Sequence, residues 1–133
     1  MTVWFRVNKE NSPLNTDDDH SIMCHADKEL DKLCKKLKVA KISDFFDGSA
    51  MAADFADEGA DVEVEAGWHD PKAGLATVEA LLKFLDENPK ELTFKDKSKA
   101  HWRETLVSEL TDAKAFLEKA VSAKVRFHFQ LVS

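Results

Sequence analysis

The sequence predicts an α+β fold: a small sheet built from the two ends of the chain, with several amphipathic helices packed against it. Three observations carry this. Thr2 to Asn8 and Val125 to Val132 alternate apolar and polar side chains at the two-residue period of strands. Three interior stretches repeat their apolar residues at the three-and-four spacing of helices. Four Gly and three Pro in 133 residues are too few for the many tight turns of a β-sandwich. A chain of this length fits one domain, residues 1–133, able to bury about two-thirds of its unfolded surface.

In chain order, Val3, Phe5 and Val7 form the apolar face of the first strand, against Trp4, Arg6 and Asn8. Residues 10–21 are rich in turn formers and predict a loop. From Asp27 to Lys38 the residues Leu30, Leu33, Cys34 and Leu37 make one helical stripe, with lysines on the rest of the surface. Ser43-Asp-Phe-Phe46 predicts a capped short helical turn. Ser49 predicts a second, reaching Phe55 or Asp57 and stopped by Gly59. Asp61 to Glu65 alternates like a short edge strand.

Asp70-Pro71 is the sharpest local signal. An aspartate before a proline suits a helix start, because the carboxylate accepts an orphan N–H and proline has none to lose. The stripe Leu75, Val78, Leu81, Leu82, Leu85 follows and ends at Asn88-Pro89. A second long helix, starting near Ser98, places Trp102, Leu106, Leu110, Ala113, Leu117 and Ala120 on one face. Neither terminal strand is stable alone, so the simplest solution pairs them beneath the helices.

The closing layout of this chain, a long helix followed by Lys119-Ala-Val-Ser-Ala-Lys124 and then Val125-Arg-Phe-His-Phe-Gln-Leu-Val132, resembles the end of the YfbM-like bacterial proteins. Those proteins also open on a short strand. The segment Trp68 to Leu75 has no counterpart among them. The resemblance implies the fold and a bacterial source, and it implies no activity.

Charge is distributed unevenly. Of the formal −6, the window 42–71 holds nine acidic residues and no lysine or arginine, while both flanks are slightly positive. A concentrated field of one sign steers partners of the other sign and repels phosphate backbones. The lysines of 28–41 and 90–99 are interspersed with acids and lack an aromatic stacking platform, so nucleic acid is not an expected ligand. No apolar run approaches a membrane span, no secretory leader pattern opens the chain, and two cysteines are too few for a disulfide framework. These features together predict a cytoplasmic protein.

Three clusters invite chemistry. Trp68, His69 and Asp70 converge on a predicted helix start, where an anion can bind or a His–Asp pair can move protons. The simpler account has Asp70 capping, Pro71 initiating and Trp68 stapling the helix entry to the core. If the end strands pair, Trp4, Arg6, Asn8, Arg126, His128 and Gln130 share one sheet face, which suits a carboxylate or phosphate, or acids of the chain's own 42–71 window. Asp17-Asp-Asp-His20 with Cys24-His25 holds ligand types without the spacing of a zinc or calcium site, so no metal and no cofactor is expected.

The predicted function is therefore interaction. The acidic window, with aromatic anchors Phe45 and Phe46 and acids Asp57, Glu58 and Asp61, would engage a basic protein partner, as an inhibitor, immunity-type or regulatory protein does. The alternative is a small enzyme or ligand-binding protein that gathers Arg6, Trp68, His69, Asp70, Arg126 and His128 around one pocket. Self-association through strand edges is compatible with either.

Overall fold

The computed structural model describes residues 1–49, 67–92 and 101–133. The architecture is α+β, with a three-stranded sheet ordered β1-β3-β2 and helices packed on it. Strand β1 (Thr2–Val7) runs antiparallel to β3 (Phe127–Val132), with Thr2 opposite Val132 and Val7 opposite Phe127. The predicted pairing of the two terminal strands is thus observed. A third strand, β2 (Phe46–Asp47), lies parallel on the other edge of β3, with Phe46 beside Phe129. Two residues carry no readable period, so this strand is invisible in the sequence.

The alternation in β1 does what the pattern requires. Val3, Phe5 and Val7 are buried with Phe127 and Phe129 on the face that meets the helices, and the Phe5 ring lies 5.2 Å from those of Phe116 and Phe129. Burying each such side chain contributes about 1.5–3 kcal/mol, which is how a two-ended sheet repays the loop closure between its strands.

Among the described residues the helices are α1 (Ser21–His25), α2 (Asp27–Leu37), α3 (Pro71–Glu87) and α4 (Trp102–Ala123), with a 3₁₀ turn at Ile42–Phe45. Helix α3 starts as predicted: Asp70 Oδ1 accepts the Lys72 N–H at 2.9 Å and Pro71 fills the first position. It ends at Asn88, and Arg103 of α4 donates to the Leu85 and Asn88 carbonyls at 2.6 and 3.4 Å. Both α2 and α4 close on a left-handed lysine, Lys38 and Lys124. Such a conformation usually takes glycine; a cation beside the negative helix end offsets part of the strain.

Helix α1 falls just after the predicted loop 10–21, and no local cap announces it. Its first N–H groups are satisfied from α4 instead: the Glu109 carboxylate accepts Met23 N–H at 2.9 Å and Ile22 N–H at 3.4 Å. Ser43 also differs from expectation. It caps nothing; its N–H and hydroxyl donate to the Asp31 carboxylate at 3.1 and 2.6 Å, tying the 3₁₀ turn to α2.

Phe45 is the clearest correction. Predicted as an exposed anchor, it is 3% exposed and packs against Phe127 in the core. Phe46 is half-buried against Phe129. The outer edge of β1 is also occupied. Thr16 N–H donates to Phe5 O, Val7 N–H to Asn15 Oδ1, and His20 Nδ1–H to Val3 O. These bonds cover part of the ladder that an exposed edge would otherwise offer a second chain. The predicted helix beyond Ser49, the Asp61–Glu65 strand, the helix start near Ser98, and Asp57, Glu58 and Asp61 lie outside the described residues.

Candidate functional site

The antiparallel register puts Trp4, Arg6, His128 and Gln130 on the sheet face opposite the helices, as the sequence predicts. Arg6 is fully engaged there. Its Nε donates to Gln130 Oε1 at 3.1 Å, Nη1 donates to Thr16 O at 3.3 Å, Nη2 pairs with Asp17, and the guanidinium lies 5.1 Å from the Trp4 ring centroid. Arg6 is thus internally paired, while the buried Trp4 Nε1 finds no hydrogen-bond partner among the described residues.

Beside it, residues 67–69 join the edge of β3. His69 exchanges both backbone hydrogen bonds with Phe127, at 2.8 and 3.0 Å. Strand alternation then sends neighbouring side chains to opposite faces. His69 turns to the core side, edge-on to Phe45 at 5.4 Å. Trp68 turns to the other side and lies flat on His128, with centroids 4.0 Å apart and planes 12° apart. Trp68 therefore does not staple the helix entry to the core; it covers a histidine.

His128 and Asp47 complete a clasp that sequence reasoning missed. His128 Nδ1–H donates to Gly67 O at 2.9 Å. Gly67 N–H donates to Asp47 Oδ2 at 2.7 Å, while Asp47 Oδ1 accepts the Ser49 N–H at 3.0 Å and the Ser49 hydroxyl. One carboxylate thus holds both Ser49 and Gly67, eighteen positions apart in the chain. The Ser49 half is a local turn of the kind aspartate forms with a residue two places on, and was readable. The Gly67 half has no sequence signal.

The electrostatics match this geometry. Burial pushes the Asp47 carboxyl up, but the hydrogen bonds from Ser49 and Gly67 and the nearby His128 outweigh it and hold the group below the usual range. Burial pulls His128 down, opposed by Gly67 O and Asp47 and assisted by His69 and Arg6. With Nδ1–H committed to Gly67 and the ring 4% exposed beneath Trp68, His128 is poorly placed to exchange protons with a substrate.

Asp70 and Arg126 lie in a third place. They line a cleft of about 460 Å³ with Pro71, Lys72, Val121, Lys124 and Val125. The six residues expected around one pocket are therefore divided: Arg6, Trp68 and His128 on the outer sheet face, His69 toward the core, Asp70 and Arg126 at the cleft. A separate cavity of about 1070 Å³ runs between residues 9–14 and α4, lined by Pro13, Leu14, Ala115 and Val125 among others. It contains no histidine, cysteine or aspartate.

The ligand types of the 17–25 segment also separate. Asp17 pairs with Arg6, and His20 stacks on Phe5 at 4.0 Å with Nε2 3.4 Å from Asp112 Oδ2. His25 meets the edge of Trp102. No group of three or more His, Cys, Asp or Glu able to hold a metal occurs among the described residues. No helix among them is long and apolar enough to cross a membrane. No family model, curated protein or solved structure matches the chain.

Proposed function

We propose that the protein acts by interaction: its acidic 42–71 window engages a basic protein partner in the bacterial cytoplasm, in the manner of an inhibitor, an immunity-type protein or a regulatory adaptor. The observation that carries this reading is the clasp. Asp47, Gly67 and His128 hold residues 47–49 and 67, which flank the most acidic part of the sequence, at one sheet edge. A concentration of one charge sign in the sequence steers an oppositely charged partner better than the same charge spread evenly. The burial of His128 beneath Trp68, its Nδ1–H given to Gly67 O, and the use of Asp70 as a helix cap support interaction over catalysis. The YfbM-like layout of the closing helix and strand accords with a bacterial source.

The test is kinetic. With a partner recovered by affinity capture, association measured by stopped flow is expected to slow steeply as salt rises, because the field shrinks to about 8 Å near physiological ionic strength. Replacing Asp57, Glu58 and Asp61 together by Asn, Gln and Asn should slow association at low salt while leaving the urea midpoint unchanged. Wild-type association of the triple variant at every salt concentration would reduce the window to a solvated surface.

A further inference from the structure

The cleft beside α3 runs against the charge of the molecule. In a chain of net charge −6, three cations from three separate elements meet there: Lys72 from the first turn of α3, Lys124 from the end of α4, and Arg126 from the lead into β3. The backbone around Arg126 is held in place, since its carbonyl accepts Asn8 N–H and its own N–H donates to Asn8 Oδ1, both at 3.0 Å. None of the three side chains forms an ion pair with another described residue.

The acid among the lining residues is Asp70, whose Oδ1 is occupied by Lys72 N–H. The helix end itself has little left to offer a ligand, because Ala73 and Gly74 N–H already donate to Asp70 O. Recognition would therefore fall to the side-chain cations. The remaining walls are apolar: Pro71, Val121 and Val125.

We infer that this cleft binds a phosphate monoester, with Lys72, Lys124 and Arg126 holding the phosphoryl oxygens and Pro71, Val121 and Val125 receiving its carbon body. An arginine matches two oxygens of a phosphate at once, whereas the lysines supply point charges. The volume admits a small organic body in addition to the phosphate. Sequence patterning alone did not assemble this set, because Lys72, Lys124 and Arg126 are brought together by the docking of α3 and α4 on β3. The site is independent of the acidic window's proposed partner.

Titration at low salt with inorganic phosphate and with phenyl phosphate, followed by backbone amide NMR shifts, decides the matter. Both probes should saturate and shift amides of residues 72–73 and 124–126, with phenyl phosphate the tighter. Arg126→Gln is expected to weaken phenyl phosphate at least tenfold with an unchanged melting temperature, and Lys124→Gln to weaken it as much with a small drop in melting temperature from the lost cation at the end of α4; both side chains are exposed. Lys35→Gln and Lys36→Gln on α2 should leave binding unaffected. Shifts that do not saturate, or that fall equally on α2, would overturn the site. Equal affinity for the two probes would overturn the role of the apolar walls, and with it the monoester assignment.

Discussion

Helices α1 and α3 begin in contrasting ways. Helix α3 carries its own start, with Asp70 accepting Lys72 N–H and Pro71 in the first position. Helix α1 has no side-chain cap of its own, and its first N–H groups are received by Glu109, 86 residues away from Met23 on α4. A helix of five residues is below the length at which isolated helices persist. So α1 is a product of the tertiary structure, whereas α3 helps to specify it. The comparison separates local from borrowed order within one molecule.

The sharpest test of that contrast is at Gly74. Local propensity says that Gly74→Ala strengthens α3 by about 1 kcal/mol. Packing says the reverse. A methyl group there would come within 2.8 Å of Phe127 Cε1 and 3.2 Å of Leu117 Cδ2, with Phe127 Cζ closer still. The expected outcome is destabilisation of about 3 kcal/mol, the upper part of the usual range for overpacking. A higher urea midpoint for the variant would mean that local order dominates even in the docked helix.

A matched pair of substitutions follows. Glu109→Ala leaves buried N–H groups of α1 without acceptors and is expected to cost about 2 kcal/mol, with hydrogen exchange accelerated at residues 21–25. Asp70→Ala removes a local cap and is expected to cost about 1 kcal/mol, felt at the start of α3. Equal loss of protection in both helices from either variant would erase the distinction.

Acidity offers a smaller test with opposite signs. Burial pushes Glu109 up, opposed by the Ile22 and Met23 N–H groups and by His20, with Asp112 adding to the rise. Its titration therefore favours the fold below the ordinary glutamate value of about 4.3, and that benefit disappears as pH rises through the folded value. Asp47 is held below the ordinary value of about 3.9, so its benefit is present above that point and is lost as pH falls. Urea midpoints of wild type, Glu109→Gln and Asp47→Asn between pH 3 and 7 should show the wild-type advantage shrinking with pH for the first variant and growing for the second. Parallel slopes would contradict the two assignments.

This division also explains what could be read from the sequence. The α3 boundaries, the α2 stripe and the two terminal strands were legible because each depends on residues close in the chain. Helix α1, strand β2, the burial of Phe45 and the Gly67 half of the clasp were not, because each depends on a partner far away. For the candidate site, alternation placed Arg6 and His128 together, and the strand-like pairing at His69 that sends it and Trp68 to opposite faces had no local mark. Nothing in the sequence around Lys72 or Lys124 brings the two together.

One feature of the sheet bears on how the protein comes to exist in the cell. The central strand, β3, is made after both of the strands that pair with it, β1 and β2. At about 5–20 residues per second of synthesis, β1 leaves the ribosome on the order of ten seconds before its neighbour exists. During that interval Val3, Phe5 and Val7 form an apolar row with no strand partner. The nascent chain is therefore a natural client for chaperones that shield such segments, and β1 stays unpaired until β3 has been synthesised.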